Sequence, residues 1–205
     1  MQEIHTDKFW HGYIDTYDSL FKELTFVNKI LEIGVYKGGS LRLLQSYFPT
    51  ASIYGLDLGY LEEYKQDGDN FNVLIGNQED RDDLLNIINN IDGEIDLILD
   101  DGGHTMRQQQ TSFGFLFRHL KNGGVYILED LHTSRYGLNS DYINKDDLIT
   151  TLDMLQNFKN TSNIISNHML DDEIRYLEEN IESIEIWSKN IEHNISVTSI
   201  IRKRG

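Results

Sequence analysis

The stretch KILEIGVYKGGSL, residues 29–41, decides the fold class. It begins as a short apolar run, passes through Gly34, Gly38 and Gly39, and leads into an amphipathic segment at 40–47. An apolar run that ends at a glycine and is followed by a helical pattern is typical of a strand–turn–helix unit in a parallel sheet. The sequence therefore predicts an α/β fold.

The same pattern recurs along the chain. Further apolar runs lie at 52–58, 71–76, 95–101 and 124–130, and the other predicted helices are 81–89, 107–120 and 145–160. The last two runs, 181–187 and 195–201, are separated by the polar turn KNIEHN (189–194) and are typical of an antiparallel hairpin at a sheet edge. The prediction is a three-layer α/β/α Rossmann-like fold with a seven-stranded, mostly parallel sheet and a C-terminal antiparallel hairpin.

Length and linker content predict one domain. The 205 residues contain no Pro/Gly/Ser-rich linker, so we expect a single domain over 1–205. Residues 1–28 are predicted to be a helical lead-in that covers the active site. The aromatic residues of this segment are Phe9, Trp10, Tyr13, Tyr17, Phe21 and Phe26. The alternative interpretation of these residues is ordinary core packing.

Composition limits the partners. The formal net charge of −16 argues against binding to phosphate backbones, so no nucleic-acid partner is expected. The absence of cysteine excludes disulfides and thiolate metal sites, which leaves oxygen and imidazole as metal ligands. The amino terminus lacks a signal-peptide pattern and no apolar run approaches membrane-spanning length, so we expect a cytoplasmic protein with no membrane partner. The abundance of Asn, Ile, Lys and Asp suggests a bacterial source.

The turn after the first run points to a nucleoside ligand. Its G-x-x-x-G-G spacing differs from the G-x-G-x-x-G that places a pyrophosphate on a helix, which disfavours an NAD-dependent oxidoreductase. Asp57 ends the second run, where open α/β sheets commonly place an acid for ribose hydroxyls, although a strand-end aspartate is also a common turn former. Together they predict a nucleoside ligand without a pyrophosphate, a description that S-adenosylmethionine fits.

Acidic residues follow two other runs. Asp100, Asp101 and His104 end one run in the sequence DDGGH, and Glu129 and Asp130 end the next. Strand ends in a parallel sheet meet at one edge, so these groups should lie together. Crowded carboxylates repel unless a cation lies among them or some of them are protonated, and a hard, oxygen-preferring ion such as Mg²⁺ is the first choice. The alternative is a structural histidine beside a capping or solvated acidic pair.

Six motifs carry a family resemblance: TDKFWHGYIDTY (6–17), LEIGVYKGGSL (31–41), IYGLDL (53–58), GNQED (76–80), DDGGH (100–104) and GGVYILEDLHTSRYG (123–137). The chain resembles the class I S-adenosylmethionine-dependent methyltransferases. Within them it is most similar to the metal-dependent macrocin and mycinamicin sugar O-methyltransferases. It departs from their pattern at Asn77, where aspartate is commoner, and at Gly103, where serine is usual.

The resemblance implies cofactors, roles and a substrate. The cofactors are S-adenosylmethionine and Mg²⁺, with Mn²⁺ as an alternative; the metal ligands are Asp101, Glu129 and Asp130, and the general base is His104. The residues implied in cofactor binding are Glu32, Gly34, Tyr36, Gly38, Ser40, Asp57, Leu58, Gln78 and Asp100. The implied substrate is a small molecule with a sugar hydroxyl: a nucleotide-linked sugar, a cell-surface polysaccharide unit or a glycosylated metabolite. A homo-oligomer is left open.

Two other functions remain open from the sequence. Cephalosporin-hydroxylase-like relatives share similar strand-end motifs, so the same fold can carry a different metal-dependent reaction. A non-catalytic module that binds S-adenosylmethionine would carry the same glycine turn without turning over an acceptor.

Overall fold

The computed structural model describes residues 6–136, 140–191 and 194–205. The first five residues of the predicted lead-in, Gly137 of the last motif and residues 192–193 of the predicted hairpin turn lie outside the described residues.

A seven-stranded sheet forms the centre of the fold. Its strands are β1 (Lys29–Ile33), β2 (Ser52–Asp57), β3 (Phe71–Ile75), β4 (Ile95–Asp100), β5 (Leu120–Leu128), β6 (Ile181–Ile191) and β7 (Asn194–Lys203). The strand order is β3-β2-β1-β4-β5-β7-β6; the first five strands of this order are parallel, and β7 runs antiparallel to both β5 and β6. The predicted fold class, including the C-terminal hairpin at the sheet edge, is confirmed.

Seven α-helices flank the sheet: α1 (Lys8–His11), α2 (Tyr13–Glu23), α3 (Gly39–Tyr47), α4 (Arg81–Asn90), α5 (Met106–Leu116), α6 (Thr151–Thr161) and α7 (Asp171–Asn180) among the described residues. The predicted helix at 145–160 begins later, because the Thr150 side chain caps α6 by accepting from the Asp153 N–H. The sequence analysis missed α7, which is rich in charged residues and buries only Glu173 and Leu177.

Two apolar clusters cover the two faces of the sheet. One lies under α4 to α7 and includes Leu84, Phe113 and Leu155, and the other lies under α2 and α3 and includes Phe21 and Leu44. Strand β4 is buried along its whole length between them. A central strand buried on both faces is what the apolar run at 97–99 predicts.

The lead-in is helical, and its aromatic residues divide into two groups. Tyr13, Tyr17 and Phe21 are buried, as the core interpretation predicts, whereas Phe9 and Trp10 are about half exposed. Lys8, Tyr13 and Tyr17 reach the carboxylates at the ends of β4 and β5, so α1 and the start of α2 lie over the carboxyl ends of these strands. None of the described helices combines the length and the apolar character needed to cross a membrane.

Candidate active site

A cavity of about 1020 Å³ opens at the carboxyl ends of the parallel strands. Six of the residues predicted to bind the cofactor line it: Gly34, Tyr36, Ser40, Asp57, Leu58 and Gln78. Asp101, His104 and Asp130 also line it. The other predicted residues, Glu32, Gly38, Asp100 and Glu129, are not on its wall as the structure describes it.

Gly34 is required by a contact within the protein. Its φ is +81°, and a Cβ at this position would lie 2.0 Å from the backbone oxygen of Asp101. Any other residue would force the turn after β1 away from the loop after β4. Gly34 therefore joins the glycine turn to the acidic loop.

Asp57 holds the glycine turn in place. One carboxylate oxygen accepts from the backbone N–H groups of Val35 at 2.8 Å and Tyr36 at 2.9 Å, and the other accepts from Gly59 at 2.8 Å. These hydrogen bonds are typical of a turn-forming aspartate. The carboxylate lines the cavity and can accept further hydrogen bonds there.

Asp100 lies behind the cavity wall. It is 1% exposed and accepts hydrogen bonds from Ser112 at 2.5 Å, Tyr126 at 2.7 Å and Gln78 at 3.2 Å. Burial raises the pKa of Asp100 to about 6. The Gln78 side chain also accepts a hydrogen bond from the Gly103 N–H at 2.6 Å. The Gln78–Asp100 pair therefore holds the DDGGH loop in place.

His104 is held from both sides. Its backbone oxygen accepts from the Thr133 hydroxyl at 3.0 Å, and its Nε2 lies 3.3 Å from Asp130 Oδ2. The departure at Gly103 has a local reason, because a Cβ there would lie 2.5 Å from the amide of Gln108, which caps α5 with Thr105. The imidazole thus lies beside a carboxylate at the cavity wall.

Three side chains form a candidate metal site. Ligand atoms of Asp101, His104 and Asp130 all lie within 4.8 Å of one another. Two carboxylates and an imidazole suit a divalent cation such as Mg²⁺ or Mn²⁺, so the donor set fits the ion that the sequence predicts. Asp130 has a left-handed φ of +53°, a conformation that aspartate and asparagine tolerate better than most residues.

Glu129 is held apart from this set. It is 1% exposed, accepts a hydrogen bond from Tyr17 at 2.5 Å, and pairs with the Lys8 ammonium at 3.0 Å. Its predicted role as a metal ligand therefore stays a prediction. Burial raises the pKa of Glu129 well above its usual range.

Lys8 is the residue that the sequence analysis missed. Its ammonium lies 2.5 Å from Asp101, 3.0 Å from Glu129 and 3.8 Å from Glu32, and the side chain is 1% exposed. Burial alone would lower the pKa of Lys8, but the three carboxylates outweigh it and raise that pKa well above its usual range. The chain therefore places a cation of its own among the crowded carboxylates.

Glu32 lies behind the glycine turn. It is fully buried, and neither carboxylate oxygen has a hydrogen-bond partner within the described part of the chain. Burial raises the pKa of Glu32 to about 8, against the opposing charge of Lys8.

The pKa of Glu32 predicts how stability depends on pH. Between about pH 5 and about pH 8 the folded chain holds a proton that the unfolded chain releases, so the free energy of unfolding should fall as pH rises, by up to about 1.4 kcal/mol per pH unit. Glu32→Gln should remove this part of the slope. Urea unfolding of the wild type and the variant in EDTA at several pH values measures this slope. Parallel profiles of the free energy of unfolding against pH would contradict the raised pKa of Glu32.

The fold matches the methyltransferase Rossmann-like fold: a parallel sheet extended by an antiparallel hairpin, with a glycine turn after β1 and an acid after β2. Residues 31–131 match the family model Methyltransf_24, described as a methyltransferase domain. The resemblance to class I methyltransferases of the macrocin and mycinamicin sugar O-methyltransferase type is confirmed.

Individual relatives are similar over about three fifths of the chain. The chain is 36% identical over 133 residues to the 8-demethyl-8-(2-methoxy-alpha-L-rhamnosyl)-tetracenomycin-C 3'-O-methyltransferase of Streptomyces olivaceus. It is 37% identical over 134 residues to the mycinamicin VI 2''-O-methyltransferase of Micromonospora griseorubida. These matches cover 61% and 62% of this chain but 33% of each relative, so the chain spans about a third of their length.

A solved structure extends the similarity to nearly the whole chain. The MycE methyltransferase of the mycinamycin biosynthetic pathway, in complex with Mg, SAH and mycinamycin VI, superposes with a TM-score of 0.71 at 28% identity. The match covers 94% of this chain and 49% of that one. An O-methyltransferase from Bacillus cereus, at 14% identity and a TM-score of 0.57, shows the fold alone.

Proposed function

We propose that this chain is an S-adenosylmethionine-dependent, divalent-metal-dependent O-methyltransferase that acts on a sugar hydroxyl. The observation that carries the proposal is the convergence of Asp101, His104 and Asp130 at the wall of the cavity that also contains the glycine turn. A methyl donor and a metal-bound hydroxyl can meet in one cavity only if residues proposed to bind each of them line it. Asp57 and Gln78 of the proposed donor site line this cavity, as do Asp101 and Asp130.

The cavity suits the donor in size and in lining. At about 1020 Å³ it reaches the upper end of the usual range for small-molecule sites, roughly 300 to 1000 Å³. Asp57 offers a carboxylate for ribose hydroxyls, and Leu58 and Tyr36 offer exposed apolar surface beside it. We propose that these residues, with Gly34, Ser40 and Gln78, hold the donor.

Side chains of the protein would perform the acid–base chemistry. When bound, S-adenosylmethionine supplies an electrophilic methyl group and the divalent cation supplies positive charge near the acceptor oxygen. His104 would accept the proton of the acceptor hydroxyl, and Asp130, 3.3 Å from Nε2, would orient the imidazole and stabilise its charged form. Asp101 and Asp130, with His104 or Glu129 beside them, would hold the cation.

A row of aromatic rings beside Asp130 supports a sugar acceptor. Trp10 and His11 contact edge to face at 4.7 Å, His11 stacks on His132 at 6.1 Å, and His132 contacts Tyr136 at 6.0 Å. Trp10 and Tyr136, at the two ends, are about half exposed. Such rings provide apolar faces against which the C–H groups of a sugar ring can pack; none of the four lines the described cavity itself.

The reaction is tested by product formation. We expect S-adenosylhomocysteine and a methylated product when the protein, S-adenosylmethionine and Mg²⁺ are incubated with a panel of nucleotide-linked sugars, polysaccharide fragments and glycosylated metabolites. Mass spectrometry of both products measures it. Binding of the donor without turnover on any member would favour a binding module, and turnover that requires iron and an oxidant would favour the hydroxylase-like alternative.

The donor site predicts a ligand preference and a variant. S-adenosylmethionine should bind far more tightly than NAD, and Asp57→Ala should weaken its binding by about 1 to 3 kcal/mol, because three backbone N–H groups and the ribose lose their acceptor. Calorimetric titration of both ligands measures this. Asp57→Asn, which keeps one acceptor oxygen, is the matched control. Equal affinities for the two ligands would contradict the donor assignment.

A further inference from the structure

Each of the three carboxylates predicted to hold the metal ion accepts a hydrogen bond from the lead-in. The bonds run from Lys8 to Asp101 at 2.5 Å, from Tyr17 to Glu129 at 2.5 Å and from Tyr13 to Asp130 at 2.9 Å. Tyr13 and Tyr17 are four residues apart in α2, so both side chains lie on one face of that helix. One face of α2 thus supplies a hydroxyl to each of the two acids that follow β5.

We propose that Tyr13 and Tyr17 are positioning residues of the metal site, which hold Asp130 and Glu129 in the orientation that binds the divalent ion. The inference rests on the proposed function, because it takes these two carboxylates and Asp101 as the ligands of that ion. The imidazole at the cavity wall stays free to act as the base. The two tyrosines act on the ion through the carboxylates alone.

The hydroxyls are fixed in place because their rings are packed in the core. Tyr13 is 3% exposed and Tyr17 is 1% exposed. The ring centroids of Tyr13 and Tyr17 are 6.0 Å apart, and Tyr17 stacks on Phe21 at 5.4 Å. Close packing limits such rings to few orientations, so each hydroxyl stays directed at its carboxylate.

These contacts leave both carboxylates able to bind an ion. Tyr13 bonds Oδ1 of Asp130, and Tyr17 bonds Oε1 of Glu129, whose Oε2 accepts from Lys8 at 3.0 Å. An ionised carboxylate has about four lone-pair sites on its two oxygens, so the hydrogen bonds from the lead-in do not saturate either group.

Both tyrosine bonds favour the form of the carboxylate that binds metal. A carboxylate ligand must be deprotonated, and a hydroxyl that donates to it stabilises that charged form. Loss of such an outer hydrogen-bond partner typically costs roughly 10- to 100-fold in metal affinity. If the hydroxyls served packing alone, their removal would change the stability of the metal-free protein and leave its metal affinity unchanged.

Tyr13→Phe and Tyr17→Phe test the proposal, because each variant keeps the buried ring and removes only the hydroxyl. Calorimetric titration with Mn²⁺ should give each variant an affinity roughly 10 to 100 times lower than that of the wild type. S-adenosylmethionine should bind both variants as tightly as the wild type. Tyr47→Phe is the matched control, since it removes a hydroxyl that lies 3.3 Å from the partly exposed carboxylate of Asp18, and it should keep the wild-type Mn²⁺ affinity.

Thermal unfolding with and without a fixed concentration of Mn²⁺ provides a second measurement for a variant that is too unstable to titrate. The rise in melting temperature on adding Mn²⁺ should be smaller for each phenylalanine variant than for the wild type, because weaker binding stabilises the fold less. An equal rise would overturn the proposal.

The titrations separate this inference from the proposed function. The inference alone is overturned if the wild type binds Mn²⁺ and either phenylalanine variant binds it equally tightly, or if the control loses as much affinity as the two variants. A variant that also loses S-adenosylmethionine binding would show general loss of structure and would overturn the positioning role. A wild type that binds no Mn²⁺ would contradict the proposed metal site, and the inference with it.

Discussion

His104→Ala is expected to lower turnover by roughly 10² to 10⁴, the usual contribution of a positioned general base. The imidazole is the basic group at the cavity wall nearest to Asp130, and no other histidine lines the described cavity. As a base rather than a ligand, it should be dispensable for binding, so titrations of S-adenosylmethionine and Mn²⁺ should give affinities close to the wild type. Single-turnover rates of the two proteins measure the loss.

The control for this variant is His104→Gln, which keeps a polar side chain next to Asp130 but cannot act as a base near neutral pH. It should be as slow as the alanine variant and melt close to the wild type. Retention of more than about a third of wild-type turnover per folded molecule would be far above the range for losing a base and would contradict the role. A large loss of Mn²⁺ affinity would instead identify His104 as a metal ligand. This is the direct alternative to the base role, because ligand atoms of His104, Asp101 and Asp130 lie within 4.8 Å of one another.

Removing the metal is expected to abolish turnover while leaving donor binding largely intact. Excess EDTA followed by dialysis should have this effect, because the residues proposed to hold the donor, such as Gly34, Tyr36 and Asp57, are not among the candidate metal ligands. Asp130→Asn should mimic it. Asparagine tolerates the left-handed φ of +53° and keeps one oxygen for the Tyr13 hydroxyl, so the variant removes charge with little added strain.

Thermal unfolding and a donor titration on the same preparation separate metal loss from unfolding. Asp15→Asn, at an exposed carboxylate of α2 that pairs with Lys189, is the matched control and should keep wild-type activity. Full activity in EDTA would exclude a catalytic metal. A variant Asp130→Asn that binds neither metal nor donor would show that the two sites are one structural unit.

The strand-end residues of the site could be predicted because the pattern that encodes them is local. Alternating apolar runs and helical segments place Asp57, Asp101 and Glu129 at strand ends, and parallel pairing then brings strand ends to one edge of the sheet. The local pattern did not predict α7, because charged residues outnumber apolar ones in this helix. Tertiary contacts stabilise it, including a salt bridge between Glu173 and Arg81.

The sequence alone determined the order of the strands and of the helices other than α7, the position of the glycine turn and the presence of acids and a histidine at neighbouring strand ends. Tertiary structure alone decided which of these groups face the cavity and which are buried behind it, as Asp100 and Glu32 are. Tertiary structure also decided which cation pairs with the buried acids: Lys8, one of 18 lysines and arginines, contacts three of the 34 acidic residues. Periodicity is a property of neighbouring residues and can be read along the chain, whereas an ion pair between residues 8 and 129 depends on distances that exist only after α1 has packed over the strand ends.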